Sequence, residues 1–195
     1  MSYAFADLKR DLVDDIVGHA RHGANFYSER VSVLRKLSIL SMPPMLCTLL
    51  FRLSHWAWGH GWHGLAWALC HLNQMVHGAA LHPASRIGGG LYIPHTVGVI
   101  FEGHAGRNLV LFANAVVANG HNHPKAWDGG DGAPRLGDDV TVGAYVVVSG
   151  GLQVGNRVRI APCATLHRDV EDDCMVIGSS RSRIRNPEAG ALRHG

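Results

Sequence analysis

The sequence predicts a mainly β protein, a three-sided parallel β-helix preceded by an α-helical region. An aliphatic residue or alanine recurs every six residues from Leu81 to Val117 and again from Leu136 to Leu166. The fifth position of each six-residue unit is also small or apolar through most of this stretch. Before Leu81 the apolar residues instead follow helical spacing, which indicates a separate helical part.

The six-residue period favours a β-helix over other β folds. Short strands separated by small residues, or by residues that tolerate positive φ, wind into a coil with one apolar column on each face. Three units make a coil of 18 residues. A β-sandwich would show alternating apolar positions and turn signals every ~8 to 12 residues. A doubly wound sheet would need helices between its strands.

The helical part is expected to cover the open end of the first coil. Residues 3–22 look like a polar helical lead-in, and two apolar helices follow from Met45, separated near Gly59 and Gly61. The apolar stretch 37–51 contains a proline pair and stops at Arg52, short of the roughly 20 residues that a bilayer crossing needs. We therefore predict no transmembrane segment, while contact of the helical region with a membrane surface stays open.

The repeat also sets the expected domain boundaries. They are a helical region at 1–79, the β-helix at 80–177 and a basic tail at 178–195. Between Val117 and Leu136 the frame slips by one residue and the aliphatic column disappears, which predicts a loop at 121–135. Loops of this size on a rigid scaffold usually carry function.

Composition excludes several classes of protein. With 195 residues, 47% of them apolar, the chain can bury a globular core. The net charge is only +3 and the basic residues are scattered, so no nucleic-acid binding is expected. The four cysteines lack CxxC spacing and no secretory leader is recognised. This pattern predicts reduced, buried thiols in a cytoplasmic protein.

One motif narrows the prediction to a family. The stretch "LHPASRIGGGLYIPHTVGVI", residues 81–100, resembles the serine acetyltransferase branch of the left-handed β-helix (hexapeptide-repeat) acyltransferases. That branch typically reads I-H-P-x-x-x-I-G-x-G-x-x-x-x-H-x-T/A-G-V-V-I. In register with it are His82-Pro83, Ile87-Gly88, Gly90, His95 and Gly98. The resemblance covers residues 80 to about 184 and implies a left-handed β-helix.

The resemblance implies acetyl transfer from acetyl-CoA to a hydroxyl, without a metal, in a cleft between the subunits of a homotrimer. Pairing of two trimers stays open. His95 would be the general base, a role typically worth about 10²–10⁴ in rate. A neutral imidazole near pH 7 suits that role. The alternative is a corner histidine that merely forms hydrogen bonds on the prism surface.

The chain departs from the family pattern at the acceptor site. Ala80 and Pro94 stand where the family carries two aspartates, one that orients the imidazole and one that holds the ammonium group of serine. Gly132-Ala133 replace an Arg-His pair. We therefore expect the acceptor to be a hydroxyl of a small metabolite, sugar or polysaccharide precursor. Serine O-acetyltransferase of cysteine biosynthesis is the alternative.

The loop supplies a second candidate base. "NGHNH", residues 119–123, resembles a loop of the xenobiotic and sugar-hydroxyl acetyltransferases, and on that match His123 would be catalytic. Asn119, His121 and Glu102 are the candidate acceptor-binding residues. A metal site is a weaker interpretation, because the two histidines would need a third ligand such as Asp128 or Asp131. A plain solvated turn is the other alternative.

The family also implies positions for the cofactor. Matching positions for the pantetheine arm are Gly143, Ala144, Ala161 and Pro162, and Arg181 and Arg183 in the tail would suit the phosphates of CoA. Ordinary corner residues and a frayed tail would look the same. Two further classes stay open: a non-catalytic β-helix binding or scaffold protein, and a metal-dependent hydratase.

Overall fold

The computed structural model describes residues 3–22, 41–119 and 132–178, together with a short strand at 183–185. Three helices come first: α1 (Phe5–His22), α2 (Pro43–Gly59) and α3 (His63–His77). Short strands follow: β1 (Ala80–Leu81), β2 (Arg86–Ile87), β3 (Ile100–Phe101), β4 (His104–Ala105), β5 (Val110–Leu111), β6 (Val116–Ala118), β7 (Arg135–Leu136), β8 (Thr141–Val142), β9 (Val147–Ser149), β10 (Gln153–Val154), β11 (Arg159–Ile160), β12 (Thr165–Leu166), β13 (Met175–Ile177) and β14 (Arg183–Arg185).

The strands form three sheets, which we call faces A, B and C. Face A has the order β1-β3-β6-β9-β12, face B β2-β4-β7-β10, and face C β5-β8-β11-β13-β14. Paired strands run parallel except for β13 and β14, which are antiparallel. The chain visits faces A, B and C in turn, so the predicted three-sided parallel β-helix is confirmed.

The register agrees with the predicted 18-residue coil at several strand pairs, whereas residues paired between β3 and β6, and between β11 and β13, are 16 apart. Ile87 pairs with Ala105, Leu136 with Val154, and each pair is 18 residues apart. The inward side chains of successive coils form one buried apolar cluster, which Cys47 and Phe51 of α2 also join. The helical region therefore covers the end of the first coil, as expected.

The frame shifts by two residues at the corner before β3. Val97, expected to point inward, is 65% exposed, and Leu81 pairs with Phe101 rather than with Val99. The corner at 94–98 is thus two residues longer than the repeat predicts. Its contacts with α3 explain the difference: the Thr96 hydroxyl donates to the His77 carbonyl at 2.7 Å. The Gly98 amide donates to the Gly78 carbonyl at 2.9 Å.

Left-handed backbone at the corners makes the prism three-sided. Glycine, asparagine or aspartate fills many of these positions, as the sequence predicts, because they tolerate positive φ best. Three other corner residues also have positive φ: Tyr145 at 59°, Arg157 at 55° and Cys163 at 61°. These three residues were not recognisable as corner residues from their type.

A wholly buried ion pair ties the helices to the first coil. Arg52 of α2 donates to both carboxylate oxygens of Asp15 in α1, at 2.8 and 2.9 Å. Asp15 also accepts from the amides of Gly90 and Leu91 at 2.9 and 2.8 Å. Arg52 in turn donates to the carbonyls of Ile87 and Gly88. Buried charges persist when paired and hydrogen-bonded in this way.

None of the helices in the described part of the chain is long and apolar enough to cross a bilayer.

Candidate active site

One edge of the prism collects most of the predicted site. The corners at 94–98, 112–114, 143–145 and 161–163 each lead from face C to face A, and we call them the histidine edge. Backbone hydrogen bonds join these corners, from the amide of Asn114 to Val97 O at 3.0 Å and from the amide of Cys163 to Ala144 O at 2.9 Å. His95 therefore shares an edge with the four residues predicted for pantetheine.

His95 is presented to solvent by a corner with a fixed backbone. The side chain is exposed, while its neighbours Thr96 and Gly98 are hydrogen-bonded to the end of α3. Within the described part of the chain, His95 has no hydrogen-bond partner. Its imidazole is thus available to a ligand, and no described group of the same chain fixes which ring nitrogen carries the proton.

The two substituted family positions border this corner. Ala80 is half-buried and pairs with Ile100, which lies two residues beyond Gly98. Pro94 is also half-buried and directly precedes His95. A methyl group and a pyrrolidine ring offer no acceptor for an imidazole N–H and no charge for an ammonium group.

Two of the three candidate acceptor-binding residues lie on a different edge. Glu102 follows β3 and Asn119 follows β6, so both leave face A toward face B, and we call this the loop edge. Glu102 is half-buried and burial raises its pKa. His121 and His123 lie outside the described residues. Within one chain, the structure separates Glu102 and Asn119 from His95 by the width of face A.

Gly143 has a structural requirement of its own. A Cβ at this position would come within 2.7 Å of both Ile160 O and Pro162 N in the next coil. Stacking of the coils therefore needs glycine here, whatever the site binds. Ala144 and Ala161 are half-buried and Pro162 is exposed. Arg181 lies outside the described residues, and Arg183 begins β14.

Two exposed side chains of the histidine edge escaped prediction. Tyr145 is 62% exposed, and Cys163 is the exposed member of the four cysteines, so the expected burial of all four was wrong. Both have positive φ, the backbone state that they share with other corner residues of the prism. The repeat offered one signal for these two residues. Tyr145 and Cys163 follow Gly143 and Ala161 by two residues, at the corner position that Asn114 occupies in an earlier coil.

The described ranges hold no group of three or more His, Cys, Asp or Glu side chains that could bind an ion. Because His121, His123, Asp128 and Asp131 all fall outside those ranges, the metal interpretation of the loop stays untested.

Comparison with known proteins agrees with this geometry. Residues 133–168 match the family model described as bacterial transferase hexapeptide (six repeats). A solved serine acetyltransferase from Neisseria gonorrhoeae superposes with a TM-score of 0.80 at 21% identity, covering 98% of this chain and 73% of that one. The soybean serine acetyltransferase complexed with serine gives 0.77 at 22% identity, covering 92% and 70%. The predicted left-handed β-helix with an N-terminal helical region is confirmed.

Curated relatives define the family. A serine acetyltransferase from Synechococcus elongatus is 30% identical over 141 residues, 72% of this chain and 56% of the relative. Serine acetyltransferase from Helicobacter pylori is 30% identical over 148 residues, 75% of this chain and 84% of the relative. The matched region spans only about half the length of the first three curated relatives, with shares of 56%, 41% and 54%. The chain belongs to the serine acetyltransferase family of hexapeptide-repeat transferases.

Proposed function

We propose that the protein is an acetyl-CoA-dependent O-acetyltransferase with His95 as general base. The observation that carries the proposal is the histidine edge, on which the exposed His95 is aligned with Gly143, Ala144, Ala161 and Pro162. Membership of the serine acetyltransferase family supports the same activity. CoA would lie along this edge, and Arg181 and Arg183 of the tail would pair with its phosphates.

The proposed reaction needs one proton acceptor and one oxyanion site. His95 takes the proton of the acceptor hydroxyl as its oxygen attacks the thioester carbonyl of acetyl-CoA. Backbone N–H groups at the cleft stabilise the tetrahedral oxyanion. The C–S bond then breaks, the ester is formed, and the imidazolium returns the proton to the CoA thiolate. The residues act by positioning and proton transfer, so the scheme requires no metal.

L-serine is the first acceptor that we propose, because the curated relatives are serine acetyltransferases. These relatives support L-serine better than they support the broader range of hydroxyl acceptors expected from the sequence. The second candidate is a sugar or other small-metabolite hydroxyl, and Ala80 and Pro94 favour it. An acceptor without an ammonium group would not need the two carboxylates that these residues replace.

The separation of the two edges supports a homotrimer with shared sites. A general base must approach the acceptor hydroxyl to about 2.6–3.2 Å, directly or through one water. Glu102 and Asn119 lie on the loop edge, and His121 and His123 follow Asn119 in the sequence, whereas His95 is on the histidine edge. We propose that the histidine edge of one subunit faces the loop edge of the next. In that arrangement His123 of a neighbouring subunit would act on the same acceptor.

Acceptor-dependent release of CoA tests the proposed function. The full chain is mixed with acetyl-CoA, a thiol reagent, and either L-serine or one of a panel of sugars and small alcohols. We expect release with L-serine, or with a sugar under the second candidate. CoA binding without release for any acceptor would contradict the proposal and favour a non-catalytic binding protein. Stoichiometric metal in the purified protein would favour a hydratase.

Alkylation of Cys163 tests the position of CoA independently of turnover. Cys163 is exposed beside Pro162 on the histidine edge, and the other three cysteines are buried. We expect saturating dethio-CoA, a CoA analogue without the thiol that would itself consume the reagent, to slow modification of Cys163 by N-ethylmaleimide at least several-fold, measured by mass spectrometry. The Cys163→Ser variant should not be modified on this time scale. An unchanged rate under saturating dethio-CoA would place CoA elsewhere.

A further inference from the structure

A cavity of about 470 Å³ lies between the helices and the first coil. Tyr3 and Arg10 come from the start of the chain, His55 and Trp58 from α2, and Arg86 from β2. The cavity borders the corner between β1 and β2, whereas His95 lies on the corner before β3. We call it the helical cavity. Its volume is within the range of about 300–1,000 Å³ typical of small-molecule sites, and the proposed acetyl transfer does not use it.

Among the described residues that line the helical cavity, Arg86 is a cation without a partner. The side chain of Arg86 is exposed and makes no hydrogen bond or ion pair with any described residue. Arg10, on the same cavity, is already paired with Asp7 at 3.0 Å and Asp11 at 3.3 Å. The hydroxyl of Tyr3 is also engaged, because it donates to Asp11 at 2.7 Å. An incoming anion would therefore meet the guanidinium of Arg86 first.

Aromatic rings form part of the remaining wall, and contacts with neighbouring residues hold them in place. The ring of Trp58 lies 5.8 Å from that of His82 and 6.4 Å from that of Trp67, both edge-on. His55 donates from Nδ1 to the Pro83 carbonyl at 2.8 Å, and burial lowers the pKa of its imidazole. The ring is therefore neutral near pH 7, which leaves Arg86 as the unpaired charge. Packed aromatic rings of this kind bind apolar ligand bodies well.

We propose that the helical cavity binds a small carboxylate, with its carboxylate on Arg86 and its apolar body against Trp58. The planar guanidinium matches a carboxylate through two parallel hydrogen bonds. A phosphate dianion fits less well, because it favours several cations and Asp7 lines the same cavity. Tyr3 and Arg10 belong to the N-terminal part of the chain. A bound carboxylate would therefore also strengthen the contact between that part and the first coil.

Calorimetric titration of the full chain with benzoate tests this proposal. Benzamide is the matched ligand, because it has the same ring without the charge, and inorganic phosphate tests the competing anion. We expect saturable benzoate binding at least tenfold tighter than that of benzamide or phosphate. Charged hydrogen bonds contribute about 1.5–3 kcal/mol, so Arg86→Gln should weaken benzoate binding by roughly ten- to a hundredfold.

Arg159→Gln provides the control variant. Arg159 is also an exposed arginine that precedes isoleucine in a two-residue strand, but on face C. It should bind benzoate like the unmodified protein. Three results would each overturn the proposal: no saturable benzoate binding, equal affinity for benzoate and benzamide, or equal effects of Arg86→Gln and Arg159→Gln. Tighter binding of phosphate would also overturn it.

Discussion

Replacing His95 with alanine should lower kcat/KM for acetyl transfer by about 10²–10⁴-fold, the usual value of a positioned general base. The imidazole is exposed on the histidine edge and has no partner among the described residues, so little of the fold depends on it. We therefore expect the melting temperature and the Kd for CoA to stay close to those of the unmodified protein. Steady-state kinetics with saturating acceptor measure the effect.

Two further variants make the result interpretable. His60→Ala removes an exposed histidine whose ring contacts lie within α2 and with Trp62, and it should leave kcat/KM unchanged. His123→Ala tests the second candidate base. If His95→Ala has near-normal activity and His123→Ala loses most of its activity, His123 is the general base. Near-normal activity of both variants would exclude histidine base catalysis.

Replacing Arg52 with methionine should lower the free energy of unfolding by about 3–5 kcal/mol, the cost typical of removing one partner from a buried ion pair. Asp15 would remain wholly buried with its charge uncompensated. The carbonyls of Ile87 and Gly88 would also lose a donor. Urea denaturation at one fixed protein concentration measures the change, since subunit association contributes to apparent stability.

An exposed ion pair is the natural control for this variant. Arg157 pairs with Asp173 at 2.6 Å on the prism surface, where both side chains are about half exposed. Exposed pairs contribute little in water, so Arg157→Met should change the denaturation midpoint much less than Arg52→Met. Equal midpoint shifts for the two variants would show that the Arg52–Asp15 pair does not hold the helices to the first coil.

The six-residue period predicted the prism because inward side chains repeat with the coil itself. Where every corner has the standard length, as from Leu136 to Val154, the predicted register and the observed register agree. At 94–101 the pattern was ambiguous, because Val97 and Val99 both satisfy an apolar column. Hydrogen bonds to the end of α3 decide the register there, and such contacts leave no trace in a local repeat.

The buried ion pair could not be predicted for a related reason. Arg52 and Asp15 are 37 residues apart, and neither lies in a pattern that marks it as a core residue. In the sequence, Arg52 looked like the end of an apolar stretch. Charged residues are rarely wholly buried, so only the packing of α1 and α2 on the first coil could identify their role.

The candidate site was predictable where the family motif and the repeat agree. His95 and Ala161 lie on one edge because Ala161 follows β11 of face C, and His95 follows Tyr92, which forms an isolated bridge with Val110 of the same face. Asn119 follows β6, which pairs with β3 on face A, so it lies on the edge at the far side of that face from His95. That separation follows from the winding of the chain, whereas the motif match alone suggested only that the loop could reach the same cleft.

The central claim is that CoA binds along the histidine edge with its sulfur beside His95. A crystal structure of the protein with CoA tests it most directly. We predict pantetheine density along the corners at 143–145 and 161–163, in a groove between two subunits, with the thiol close to the His95 imidazole. CoA on another edge, or with its thiol remote from His95, would contradict the account.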